Sequence, residues 1–345
     1  MDVGEGAPTI YFLPHGCIMN KPHILVVGGA GYIGSHMVLD LLRADYPVVT
    51  LDDLSRGHRE LLPGGEFIEG DMGNPADLEK VFRQYPIKAV MHFAAHSQVG
   101  ESVGQPLMYY RNNVANTVTL LEAMQQAGIK HFIFSSSAAV YGEPEKTPIT
   151  ESHPCSPTNP YGTTKLTVEH ILHDVSQATD LTCCSLRYFN AAGADAEGKV
   201  GERHEPETHL IPLVLQVTTG ERASIKIFGD DYPTPDGTCL RDYIHVSDLT
   251  RAHLLALESL LQGNGSATYN LGNSTGYSVK EIIETARRIT GHEIPAITAD
   301  RRAGDPAILV ADSAKIRAEL GWQPRYENIE DIIRSAWVWH QKEAS

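Results

Sequence analysis

Residues 23–53, HILVVGGAGYIGSHMVLDLLRADYPVVTLDD, constrain the fold of this chain more than any other stretch. Residues 24–27 read as a short apolar strand, and Gly28, Gly31 and Gly34 follow as G-x-x-G-x-x-G. Residues 35–42 then read as a helix, and residues 48–51 as a second strand ending at Asp52. This is a βαβ unit. Its glycines permit a tight turn and close approach of a pyrophosphate, and the helix N-terminus offers free N–H groups to the same anion. A carboxylate at Asp52 suits the hydroxyls of an adenosine ribose and repels a 2′-phosphate, which favours NAD over NADP; the nearby Arg56 weakens that preference.

Further short apolar runs recur at parallel-sheet spacing. Residues 66–68 precede EGD, 89–93 precede AAH, 131–134 precede SSS and 182–186 precede RYFN, with helical stretches such as 113–126 between them. Strands alternating with helices imply a doubly wound α/β sheet of Rossmann type. Ligands in such sheets bind beyond the carboxyl ends of the strands, where Asp71, Ala94, Ser137 and Asn190 fall. With 345 residues the chain is long enough for two domains. Residues 1–20 read as an N-terminal extension, with Met19 a candidate start. Residues 21–190 read as the dinucleotide-binding domain. Residues 191–345 read mainly as a smaller mixed α/β substrate domain, with segments returning to the large one.

A formal net charge of -15 argues against nucleic-acid binding and polybasic membrane contact. No run of 18 apolar residues suggests a membrane span. Cysteines at 17, 155, 183, 184 and 239 form neither a disulfide framework nor a zinc pattern. Cys183 and Cys184 read as core thiols, and a reducing cytoplasmic compartment is expected. His204 and His209 lie near Glu205 and Glu207 in RHEPETH. The spacing lacks H-E-x-x-H helical geometry and Pro206 argues for a loop, so no metal site is expected.

NPYGTTK, residues 159–165, reads as a helix start, with Asn159 as N-cap and Pro160 in the first position. Tyr161 and Lys165, four apart, then share one face. The lysine's charge would favour the ionised phenol and make Tyr161 a base near neutral pH. Ser137 reads as a hydrogen-bond partner for a reacting oxygen. It sits in no G-x-S-x-G elbow, so acyl transfer is disfavoured and hydride chemistry fits.

The motifs GGAGYIGSH (28–36), HFAAHSQVGES (92–102), SSSAAVYG (135–142), YGTTK (161–165), LRYFNAAGA (186–194), IFGDDYPTPDGTCLRDYIHVSDL (227–249) and RRAGDPA (301–307) resemble those of the extended short-chain dehydrogenase/reductase family. Within that family they are most similar to the UDP-glucose 4-epimerases, from about residue 22 to about residue 340. The resemblance implies interconversion of UDP-glucose and UDP-galactose through a transient 4-keto sugar and enzyme-bound NADH. It assigns Tyr161 as base, Lys165 as the ribose-binding and pKa-lowering lysine, and Ser137 as the substrate-hydroxyl partner. The implied cofactor set is Gly28, Gly31, Tyr32, Ile33, Gly34, Asp52, Asp71, Met72, Phe93, Ala94, Ala95, Ser97, Asn112, Tyr161, Lys165 and Tyr188. The implied UDP-sugar set is Ser137, Asn190, His209, Leu210, Lys226, Phe228, Arg241, Arg302 and Asp305. Arg241 and Arg302 would hold the diphosphate, for which two guanidiniums in an acidic chain are suited; surface ion pairs of these arginines, with Asp242 or Asp305 as partners, are the competing reading. A homodimer is the expected assembly.

Several positions depart from the family pattern or leave its specificity open. Ser97 stands where the best-known bacterial epimerases carry a lysine that touches the cofactor, and His209 replaces a common asparagine. Leu309 falls at a position that gates N-acetylated sugars. Related 4,6-dehydratases carry an acid pair after their serine or threonine; here Ser135-Ser136-Ser137-Ala138 is followed by no carboxylate until Glu143. Epimerases of UDP-N-acetylhexosamine, UDP-glucuronate or UDP-xylose, and a nucleotide-sensing protein without turnover, are the alternatives.

Overall fold

The computed structural model describes residues 21–302 and 305–343; the candidate start Met19 and Cys17 lie outside them. Its strands are β1 (His23–Val27), β2 (Val48–Asp52), β3 (Glu66–Glu69), β4 (Ile87–His92), β5 (His131–Ser137), β6 (Thr182–Tyr188), β7 (Asn190–Ala192), β8 (Ile225–Phe228), β9 (Leu240–His245), β10 (Ala267–Leu271), β11 (Gly276–Ser278), β12 (Ala296–Ala299) and β13 (Ile308–Leu309). Seven of them form one parallel sheet in the order β10-β6-β5-β4-β1-β2-β3. This is the expected doubly wound Rossmann-type sheet. Its order reverses between β1 and β4, which opens a ligand crevice at their carboxyl ends.

The apolar runs build this sheet because both of its faces are covered. Side chains alternate across the pleat. Ile24 and Val26 join a core with Met37, Leu41, Leu249 and Leu257 on one side. Leu25 and Val27 join Leu120, Phe132, Phe134, Val168 and Leu172 on the other. Cys183 and Cys184 are buried, free thiols, as expected. No described helix is long and apolar enough to cross a membrane.

The smaller domain is built around β9. β11 runs antiparallel to it, while β13 pairs in parallel with Leu240 and Arg241, and β7 with Tyr243 to His245. β8 and β12 form a separate parallel pair. A third core, including Ile211, Val214, Ile282 and Ile333, packs this domain. The chain passes from the large sheet to the small one across Phe189, so Tyr188 and Asn190 end one sheet and begin the other.

Several elements extend beyond their sequence expectations. β5 runs on through the three serines because their polar groups find partners in the sheet, the helix beside it and the following turn. Ser135 Oγ lies 2.7 Å from the Tyr188 hydroxyl, and Ser136 Oγ donates to Glu169 Oε1 at 2.5 Å. The first helix begins at Tyr32, with Gly31 as its N-cap. The helix expected over 113–126 opens with a π-turn, Tyr110–Ala115, and continues as Asn116–Gln126; such turns often mark functional positions.

Candidate active site

The glycine turn fits a dinucleotide. Gly28 has φ +80°, and a Cβ there would collide with the main chain of Ala94. That close approach brings the loop after β4, with Phe93, Ala94 and Ala95, against the turn. Phe93 and Ala94 N–H groups both donate to Val27 O, at 2.8 and 3.1 Å. A Cβ on Gly34 would strike Gly28 O, whereas one on Gly31 would meet nothing nearer than that oxygen at 3.5 Å. The first helix has no acidic residue in its first turn and no side-chain cap. Its N-terminal amides are therefore left for an anion. Tyr32 and Ile33 begin this helix; the Tyr32 hydroxyl donates to Gly193 O at 2.6 Å, tying the turn to the smaller domain.

Asp52 ends β2 nearly buried, its two oxygens accepting from the amides of Ala30 and Leu54, each at 2.9 Å. Burial raises its carboxyl pKa, and the two amides pull it partly back. Arg56, whose charge weakens the preference for NAD, is paired with Glu101 at 2.9 Å. Asp71 accepts from Gly73 N at 2.7 Å at the end of β3. The Met72 side chain belongs to the core. Ser97 is exposed.

Asn113, beside the expected Asn112, is the residue that organises this wall. Its side chain accepts from His96 N (2.9 Å) and donates to His96 O (3.0 Å) and Thr164 Oγ1 (3.1 Å). It thereby couples the loop after β4 to the helix Pro160–Ala178. Sequence reasoning passed over it because a buried asparagine inside a helical run carries no local signal.

That helix starts as expected, with the Asn159 side chain accepting from Gly162 N at 2.9 Å and Pro160 in its first turn. Tyr161 and Lys165 are both buried on it, beside the ends of β5 and β6. Burial raises the Tyr161 pKa, and hydrogen bonding to Ser137 offsets part of the rise. Ser137 Oγ also accepts from Ala139 N at 3.1 Å. Lys165 Nζ donates to Ser135 O at 2.8 Å. Burial drives the lysine down to about 7, with Glu169 opposing. In this arrangement burial, and not Lys165, dominates the Tyr161 phenol.

Behind these residues lies a network with no obvious sequence signature. Glu169 accepts from Arg187 Nε at 3.0 Å and Arg187 Nη2 at 2.5 Å, and both side chains are less than a tenth exposed. Arg187 Nη1 donates to the Tyr141 hydroxyl at 2.9 Å, which donates to Asn270 Oδ1 at 2.6 Å.

Across the crevice, β7 carries Asn190, and β8 carries the exposed Lys226 and ends at Phe228. The Arg302 guanidinium stacks 4.0 Å from the Phe228 ring centroid. Arg241 is ion-paired with Asp305. Asp242 faces the other way along β9 and accepts from the amides of Asn273, Ser274 and Ala311. Of the two competing partners for Arg241, the structure therefore selects Asp305. Leu309 pairs in register with Arg241 on β13 and packs against the cluster containing Ala138 and Val140, just past Ser137. Leu309 thus links the substrate-side strand β9 to the segment just past Ser137.

His209 and Leu210 begin the helix Leu210–Thr218, with His209 at its N-cap. The His209 imidazole lies against Glu202 and Glu207, at 2.9 and 3.0 Å. His204 joins the same group. The expectation of no metal site rested on helical spacing; here the loop itself brings Glu202, His204, Glu207 and His209 together. Glu205 is outside the group, its main-chain oxygen accepting from Arg56 at 3.4 Å.

Known proteins share this arrangement. A UDP-glucose 4-epimerase of Halalkalibacterium halodurans is 53% identical over 319 residues, covering 92% of this chain and 96% of that protein. A crystal structure of a UDP-glucose 4-epimerase superposes with TM-score 0.92 at 55% identity, over 94% of this chain and 98% of the other. The Brucella ovis UDP-glucose 4-epimerase in complex with NAD superposes with TM-score 0.90 at 47% identity, over 92% and 98%. The profile of the NAD dependent epimerase/dehydratase family matches residues 24–272, and with the glycine turn, the Tyr–Lys helix and the Rossmann-type sheet in place, the chain belongs to that family.

Proposed function

We propose that this chain is a UDP-glucose 4-epimerase, interconverting UDP-glucose and UDP-galactose by oxidising and re-reducing one sugar carbon. One observation carries the reading. Ser137, Tyr161 and Lys165 meet at the carboxyl ends of β5 and β6, between a dinucleotide turn and two arginines suited to a diphosphate. NAD, when bound, supplies the hydride acceptor and donor. Tyr161 takes the proton of the C4 hydroxyl and later returns it, while Ser137 holds that oxygen by a hydrogen bond. Lys165 anchors a ribose. Arg302, and Arg241 on giving up its pair with Asp305, hold the diphosphate in bidentate fashion, and Phe228 and Asp305 hold the uridine. The hexose is gripped loosely, so that the 4-keto sugar turns over about its diphosphate link and offers its opposite face. No carboxylate stands beside Ser137 on the chain to eliminate water.

The test is incubation with UDP-glucose or UDP-galactose, with product separation and absorbance of reduced cofactor followed together. Both substrates should reach one equilibrium mixture without NADH accumulating in proportion to product. Stoichiometric NADH with a keto or acid product would overturn the reading, and UDP-N-acetylhexosamines, UDP-glucuronate and UDP-xylose in parallel define the sugar range. The reading includes a homodimer, supported by exposed Val99, Val103, Leu107 and Tyr110 on one stretch, and sedimentation checks it. It also includes a cytoplasmic location, where the free thiols Cys155, Cys183, Cys184 and Cys239 stay reduced.

A further inference from the structure

We propose that Glu202, His204, Glu207 and His209 form a structural site for one divalent transition-metal ion, of which zinc is the best match. The proposal concerns a cluster outside the Tyr161–Lys165 centre. One ligand atom from each residue lies within 4.8 Å of all the others. His204 Nδ1 lies 3.2 Å from Glu202 Oε1 and 3.5 Å from Glu207 Oε2; His209 Nδ1 lies 2.9 Å from Glu202 Oε1 and 3.0 Å from Glu207 Oε1. A tetrahedral zinc with ligands at about 2.0–2.1 Å requires neighbouring ligand atoms about 3.3 Å apart. With Glu202 Oε1 as the ligand atom, its distances to the two imidazole Nδ1 atoms, 3.2 and 2.9 Å, fall within a few tenths of an ångström of that value.

The chemistry of the cluster points the same way. The Glu202 and Glu207 side chains are each only 7% exposed. Two buried carboxylates side by side need compensating positive charge, which two protonated imidazoles or one bound cation can supply. Among the described residues Glu202 Oε1 and His204 Nδ1 are buried without a hydrogen-bond partner, although they are 3.2 Å apart. Lone pairs aimed at a shared centre rather than at one another explain this. Two imidazoles and two carboxylates favour zinc and its transition-metal neighbours over magnesium or calcium.

The ligand positions are supported from outside. Trp339 Nε1 donates to Glu202 O at 3.1 Å, and Glu207 Oε1 accepts from Thr208 N at 2.6 Å and His209 N at 2.7 Å. The Tyr32 ring stands edge-on to His204 at 6.0 Å. Four protein ligands leave no open position for substrate, which makes the role structural. The loop 202–209 reaches from the first helix to the helix Leu210–Thr218. Along the way its Glu205 and Pro206 oxygens accept from Arg56 at 3.4 Å and Gln98 at 3.3 Å. A bound ion would pin this loop over the edge of the dinucleotide crevice.

The experiment uses full-length, untagged protein, stripped with a chelator and dialysed against zinc or cobalt(II), with magnesium in a parallel arm. One zinc per chain by elemental analysis is expected, together with tetrahedral cobalt absorption and a Tm that rises on zinc addition and falls again with chelator. His204→Ala and Glu207→Gln should each lose the bound ion. Their retained fold, checked by circular dichroism, separates loss of a ligand from loss of structure. Substoichiometric metal in the zinc-dialysed protein, with a Tm indifferent to zinc and chelator, would overturn the site, as would undiminished zinc in both variants. Epimerisation by Tyr161 is assayed separately, since the proposed ligand His209 also stands in the implied UDP-sugar set and neither variant alters it.

Discussion

Lys165 Nζ donates to the main-chain oxygen of Ser135 at 2.8 Å and stands 5.9 Å from the ring centroid of Tyr161, so the amine is anchored to β5 and not to the phenol. Its pKa near 7 makes it a stability liability as well as a functional group. Below about pH 7 the native chain carries a buried charge and the full desolvation cost. Between that pH and the unfolded value of about 10.4, the native lysine sheds its proton while the unfolded one keeps it, so stability rises with pH. Lys165→Met should therefore raise the Tm of the cofactor-free protein more at pH 6 than at pH 9, while turnover falls. Thermal melts at the two pH values decide it; an equal gain at both would remove the buried charge as the cause.

Tyr161→Phe deletes one hydroxyl from a buried side chain and leaves the glycine turn untouched. The variant should fold, bind NAD and lose turnover by roughly 10²–10⁴-fold, the usual contribution of a positioned acid–base group. Product separation from UDP-galactose measures the loss. Near-normal turnover would remove the phenol from the role of base.

The Glu169–Arg187 pair predicts a stability effect that depends on removing one partner or both. Arg187→Met leaves the Glu169 carboxylate buried and half-satisfied, at a cost of about 3–5 kcal/mol. Removing both charges, as Glu169→Met with Arg187→Met, should recover most of that cost. Denaturant titration of the three proteins gives the coupling. Additive losses would show that the two residues act independently.

The fold was largely legible because parallel strands buried on both faces leave near-continuous apolar runs, such as HILVV and VVTLD, in the sequence. Asn159, Pro160, Tyr161 and Lys165 were legible for a similar reason: a helix start fixes its own capping and i,i+4 geometry. Asn113 and the Glu169–Arg187–Tyr141–Asn270 network were not. Their meaning lies in pairings between residues 17 to 129 positions apart, which periodicity does not encode. The choice of Asp305 over Asp242 by Arg241 was equally hidden, since strand alternation decides it once β9 is placed. The His–Glu cluster escaped notice because its convergence is made by a loop, and spacing rules describe helices.

Cofactor preference rests on two neighbouring arrangements that act together. Asp52 presents a carboxylate at the end of β2, held by the amides of Ala30 and Leu54. Arg56, the nearby cation, is paired with Glu101 and bonded to the Glu205 carbonyl. A 2′-phosphate would meet the carboxylate and find the guanidinium already engaged. Two like charges about 4 Å apart repel by about 4 kcal/mol at an effective dielectric near 20. A quarter of that already corresponds to about a fivefold preference. The cofactor-free protein should therefore bind NAD more tightly than NADP, and Asp52→Asn should narrow the gap by weakening NAD and relieving NADP. Glu101→Gln should narrow it further by freeing Arg56. Competitive titration of both cofactors against the three proteins is the measurement, together with identification of the nucleotide released on denaturation. Tighter binding of NADP to the unmodified protein would show that Asp52 does not set the preference.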